Sequence, residues 1–68
     1  KTLLPGMARA SQPLQLRKRP PGEGEVAQTV PAGASLQLQA RQANGEGSWW
    51  FAEYDGALGW VPERSLTQ

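Results

Sequence analysis

The sequence predicts an all-β fold, a small closed barrel of five short strands. Three observations predict it. Eight glycines and six prolines in 68 residues leave no room for long helices and punctuate the chain into short segments. Period-2 alternation of apolar and polar residues recurs in those segments. An open hairpin sheet of this length would also be unstable, so closure is expected.

Residues Lys1 to Gly6 read as a linker or arm, with Pro5-Gly6 as a turn signal. The barrel is expected over residues 7–68. In Pro13–Pro20, Leu14 and Leu16 point inward while Gln15 and Arg17 point outward, the pattern of a half-buried strand. Pro20–Glu25 carries no apolar residue, reads as a loop, and presents Glu23 and Glu25. Val26–Val30 resumes a strand, and Pro31-Ala32-Gly33 forms a tight turn. Leu36, Leu38 and Ala40 alternate with Gln37, Gln39 and Arg41, the clearest period-2 signal in the chain. Asn44 to Gly47 is a hairpin loop of the Asn-Gly kind. Trp49–Tyr54 is a strand, Asp55-Gly56 turns it, and Leu58–Val61 returns. Pro62 ends that strand because it lacks an N–H. Pro62 to Arg64 has the length of one 3₁₀ turn, and Leu66 closes the chain.

All three tryptophans and the only phenylalanine and tyrosine lie between Gly47 and Leu66. Trp49 and Trp50 are adjacent, so a strand must send them to opposite faces. Ala52, small and flanked by aromatics, suits the interior, and Glu53 suits the outside. Trp49 and Phe51 are therefore expected outside, near the 44–48 loop, with Ala52 in the core and Trp50 and Tyr54 at its margin. The outer aromatics then form either a ligand platform or a surface covered by neighbouring loops. Gly59 is read as allowing a sharp backbone turn before Trp60.

Composition excludes several function classes. Cysteine and histidine are absent, which removes disulfides, thiol chemistry, the commonest general base and the commonest metal ligand. No catalytic residue, metal or cofactor is expected. Glu23 and Glu25 sit in a Gly-rich stretch with nothing to bury them, so they suit a cationic ligand better than acid–base chemistry. Net charge is only +1, and Arg17-Lys18-Arg19 alternates in direction rather than forming a stripe, so nucleic acid is not an expected partner. No apolar run approaches the roughly 18 residues of a membrane span, and KTLLPGM does not read as a signal peptide. A monomeric piece from the interior of a longer protein is expected.

In order and spacing, the motifs resemble the SH3-type barrels, most closely the bacterial SH3-like domain, from about Met7 to Leu66. That family's Leu-x-Val-Arg-x-x-Pro opening is matched by Leu14 to Pro20. Its Val-x-x-x-(Leu/Val)-x-x-Gly segment is matched by Val26 to Gly33. Its Gly-x-Trp and Gly-x-x-Gly-Trp-Val pairing is matched by Gly47, Trp49, Gly56, Gly59, Trp60 and Val61. The second half is also similar to the eukaryotic SH3 domain, with Trp49 and Pro62 at its ligand-groove positions and Glu23 and Glu25 at those of its acidic loop. The Ala-Leu-Tyr-Asp-Tyr opening of that family is absent, and Ser65 stands in place of a groove tyrosine.

The resemblance implies a non-catalytic module that binds a peptide or protein over Trp49, Phe51, Trp60 and Pro62, with Glu23 and Glu25 at one end. The bacterial likeness implies a cell-wall (peptidoglycan) peptide and a place in the cell envelope. The eukaryotic likeness implies a Pro-rich partner and a cytoplasmic adaptor. The alternative is a structural barrel packed against its own parent protein.

Overall fold

The computed structural model describes residues 3–19, 23–45 and 47–68, with 19, 23, 24 and 44 described by their backbone alone. Its strands are β1 (Gly6–Ala10), β2 (Leu14–Arg19), β3 (Glu23–Val30), β4 (Ser35–Asn44), β5 (Gly47–Tyr54), β6 (Ala57–Pro62) and β7 (Leu66–Thr67). A single 3₁₀ turn, Glu63–Ser65, separates the last two and starts one residue later than expected, with Pro62 as its N-cap.

The strands form one sheet in the order β3-β2-β6-β5-β4-β1-β7. The fold is therefore all-β as expected, but it has seven strands rather than five and is a curled half-barrel rather than a closed barrel. The two additional strands are β1 and β7. In β1 the inward residues are Ala8 and Ala10, whose small side chains and weak strand preference make a faint pattern. Two-residue β7 is too short to show a period; it is held by pairing Leu66 and Thr67 with Ala10 and Arg9.

Curvature comes from register shifts between Leu38 and Ala40 and on both sides of Arg17. Such irregularities bend a strand and increase its twist. The first of them corrects an expectation. Leu36 and Leu38 are buried, but the shift changes phase and leaves Ala40 exposed. The expected 20–25 loop is also shorter than read, because Glu23, Gly24 and Glu25 already belong to β3 and Glu23 pairs with Arg19. Residues 20–22 lie outside the described residues. At the next hairpin β4 runs on to Asn44, which pairs with Gly47; Glu46 is outside the described residues.

The core gathers Ala8, Ala10, Leu14, Leu16, Val30, Leu36, Leu38, Trp50, Ala52, Val61 and Leu66. Trp50 is 1% exposed, the largest fully buried side chain, and so is central rather than marginal; Tyr54 is the residue that packs at the edge. Chain ends are tied together by Gln68, whose Oε1 accepts from the Leu4 amide (3.0 Å) and whose Nε2 donates to the Leu4 carbonyl (2.7 Å).

Candidate binding surface

The β5–β6 hairpin sets the candidate surface. Asp55 and Gly56 both have positive φ, 53° and 81°, as a two-residue hairpin turn matched to strand twist requires. That turn fixes the register Glu53↔Leu58, Phe51↔Trp60 and Trp49↔Pro62. Side chains alternate faces along each strand, so Trp49, Phe51, Trp60 and Pro62 share the outer face while Trp50, Ala52 and Val61 fill the core. The expected faces of the adjacent tryptophans are the observed ones.

Exposure differs from expectation. Phe51 and Trp60 are half-buried, with ring centroids 5.2 Å apart and planes tilted by 51°, a favourable aromatic geometry. Trp49 is only 5% exposed although it lies outside the core cluster. It is a wall of a cleft of about 280 Å³ that Pro62, Pro13, Gln15, Arg17 and Arg64 also line. Leu14 and Ser65 complete its described lining.

Local sequence explains how the cleft forms. Pro62 ends β6, and the following 3₁₀ turn brings Arg64 and Ser65 back towards the start of β2. Gln12 Nε2 donates to Ser65 Oγ (2.9 Å) and the Ser11 amide to the Ser65 carbonyl (2.8 Å), which fastens that turn to the 11–13 segment. On the other side β2 approaches β6 at Gly59, and Arg17 pairs with Trp60. Gly59 thus serves close strand contact rather than the sharp turn expected of it.

The two adjacent indoles have opposite fates. Trp50 Nε1 donates to Glu63 Oε2 at 2.9 Å. Trp49 Nε1 is buried and meets no acceptor among the described residues. A buried donor left without an acceptor is destabilising by about 1–3 kcal/mol, so it calls for an explanation.

Glu63 is a hub that sequence reasoning missed. Besides Trp50 it accepts from Arg41 Nε at 3.0 Å, and Arg41 Nη2 donates on to Ser48 Oγ at 2.7 Å. The Arg41 hydrogen bond, then the Trp50 hydrogen bond and the Arg41 charge, hold its carboxyl below the usual range against the opposing effect of burial. A carboxyl depressed on folding stabilises the fold above its ordinary, unfolded pKa, and that stability is lost as pH falls through the folded value. Glu63→Gln is therefore expected to cost about 1–2 kcal/mol at neutral pH. The gap to the wild type should close on acidification. Thermal melts from pH 7 to pH 2 test this, and a constant gap would contradict it.

Of the two acidic residues expected at the ligand, the one whose side chain is described, Glu25, does not line the cleft. Glu25 is exposed and pairs with Lys18 at 3.2 Å. Glu23 begins β3, and its side chain lies outside the described residues. The cleft instead carries Arg17, whose Nη2 donates to Gln15 Oε1 at 2.7 Å, and Arg64. Arg64 follows Pro62 by two residues on a turn, and nothing in strand periodicity marks it as a lining residue.

Comparison with family models, curated proteins and solved structures finds no match to this chain.

Proposed function

We propose that this domain is a non-catalytic binding module of a larger protein, with an SH3-type barrel as its fold. It holds an extended peptide or protein segment over the outer face of β5 and β6. The motif order from Leu14 to Val61 supports the fold name within the curled all-β sheet. One observation carries the function: Trp49, buried and with an indole N–H that meets no acceptor among the described residues, lines an open cleft beside Pro62. A bound backbone carbonyl would supply the missing acceptor. Half-buried Phe51 and Trp60 extend the surface with apolar contact, and aromatics are enriched among residues that dominate binding energy.

The candidate ligand classes are a cell-wall peptide in a bacterial setting and a Pro-rich segment in a eukaryotic one. Titration of the ¹⁵N-labelled chain with peptidoglycan fragments and with Pro-rich peptides tests the site. One class is expected to move the Trp49 indole resonance. Trp49→Phe keeps an aromatic ring and removes only the donor and part of the ring system. It is expected to weaken that ligand about tenfold, the value of one restored hydrogen bond, with a melting temperature within a few degrees of the wild type. A Trp49 indole that stays silent with every ligand class would refute the reading.

The near-complete burial of Trp49 favours a second reading, a barrel packed against its own parent protein. In that case the Trp49 resonance moves only when the chain is extended with parent sequence.

A further inference from the structure

Among its described residues the only charged side chains of the cleft are basic, the reverse of what the acidic residues at 23 and 25 suggest from sequence. Among the described residues its lining contains two arginines, Arg17 and Arg64, and no aspartate or glutamate. The nearby described carboxylates are engaged elsewhere. Glu63 accepts from Trp50 and Arg41, and Glu25 pairs with Lys18 at the other end of β2. Arg64 is exposed at the cleft, on the turn that begins directly after Pro62.

Two kinds of donor therefore converge on one small volume. Trp49 Nε1 is a neutral donor with no acceptor among the described residues, suited to a peptide carbonyl. A guanidinium is a charged donor whose fork matches a carboxylate, and such charge-assisted pairs are shorter and stronger than neutral ones. Pro62 and Pro13 line the same cleft and supply apolar walls.

Resting on the binding-module reading above, we propose that the ligand is an acidic peptide: an extended segment with a Glu or Asp side chain held by Arg64 and a neighbouring backbone carbonyl held by Trp49. A ligand arginine at this position would face the exposed Arg64 guanidinium. The cleft thus selects against the basic Pro-rich segments that an acidic loop would attract.

The test uses the 68-residue chain and four peptide probes, read by the Trp49 indole resonance. Three are acetylated, amidated pentapeptides, Ala-Pro-Glu-Leu-Ala and its Gln and Arg analogues. The fourth is the Gln peptide with a free C-terminal carboxylate. The Glu peptide should bind at least tenfold more tightly than the amidated Gln peptide, and added salt should erode that difference. The Arg peptide should bind more weakly than either. Arg64→Gln, checked for an unchanged Trp50 indole shift, should bring the Glu and Gln peptides to equal affinity. Equal binding of all the peptides would overturn the charge inference while leaving the binding module standing. Preference for the Arg peptide would do the same, and so would preference for the free C-terminal acid over the Glu side chain. No Trp49 response to any of the four probes would overturn the acidic-peptide inference, and the binding module falls with it only if peptidoglycan fragments and Pro-rich peptides are silent as well.

Discussion

Trp50→Ala is expected to leave the domain largely unfolded at room temperature. Truncating a buried aromatic typically removes about 3–5 kcal/mol, because the lost transfer energy is joined by the cavity left behind. A domain of this length has about 3–10 kcal/mol in total, taking the usual stability per residue. Trp50 is the largest fully buried side chain in the core, with Leu16, Leu36, Leu38, Val30 and Val61 the next largest. Its loss also takes a donor from Glu63, which already bears the desolvation of partial burial. Trp50→Phe separates the two effects. It keeps most of the apolar volume and removes the N–H, so about 1–3 kcal/mol should be lost. Loss of near-ultraviolet circular dichroism and a missing thermal transition would mark the alanine variant. A cooperative melt within a few degrees of the wild type would show that the core does not depend on this ring.

Much of this was visible in residue order, and the failures share a physical cause. Alternation separates Trp49 from Trp50 without any structure, since the strand period leaves no other choice. The Asp55-Gly56 turn was equally legible, because few residue pairs tolerate two positive φ angles in succession. What periodicity could not reveal was where the period breaks. The shift after Leu38 exposes Ala40, and only the partner strand reveals it. Strand β1 was hidden because its inward positions are alanines. At the candidate surface, Trp49, Phe51, Trp60 and Pro62 do come together across one hairpin. Arg64 and Glu63 went unseen because a 3₁₀ turn, not a strand, decides where they sit. Burial of Trp49 was hidden for the same reason: the residues around it at the cleft come from β2, β6 and that turn.

Gly59→Ala carries the second large effect and tests how the cleft is built. A Cβ at this position would lie 2.9 Å from Leu16 Cβ, 3.0 Å from the Arg17 carbonyl oxygen and 3.1 Å from the Arg17 amide nitrogen. Two of those three atoms are backbone, and the third is a Cβ fixed by it, so no rotamer change relieves the crowding. The β2 strand must move away from β6. Overpacking of this kind costs about 1–3 kcal/mol, which in so small a domain lowers the melting temperature by about 5–20 °C. Gly45→Ala is the matched control, because an added Cβ there meets nothing within 4 Å and Gly45 has no positive φ. It should be neutral or slightly stabilising, since alanine restricts the unfolded chain. The displacement has a second consequence, because Arg17 pairs with Trp60 across this contact and lines the cleft beside Trp49. Moving β2 outward widens the cleft at that wall. Ligand affinity in Gly59→Ala should therefore fall even at temperatures where the variant is fully folded, with backbone shifts concentrated at Arg17 and Trp60. An unchanged melting temperature would mean that the two strands are not in close contact at this point. Lowered stability with unchanged affinity would place the ligand away from the β2 side of the cleft.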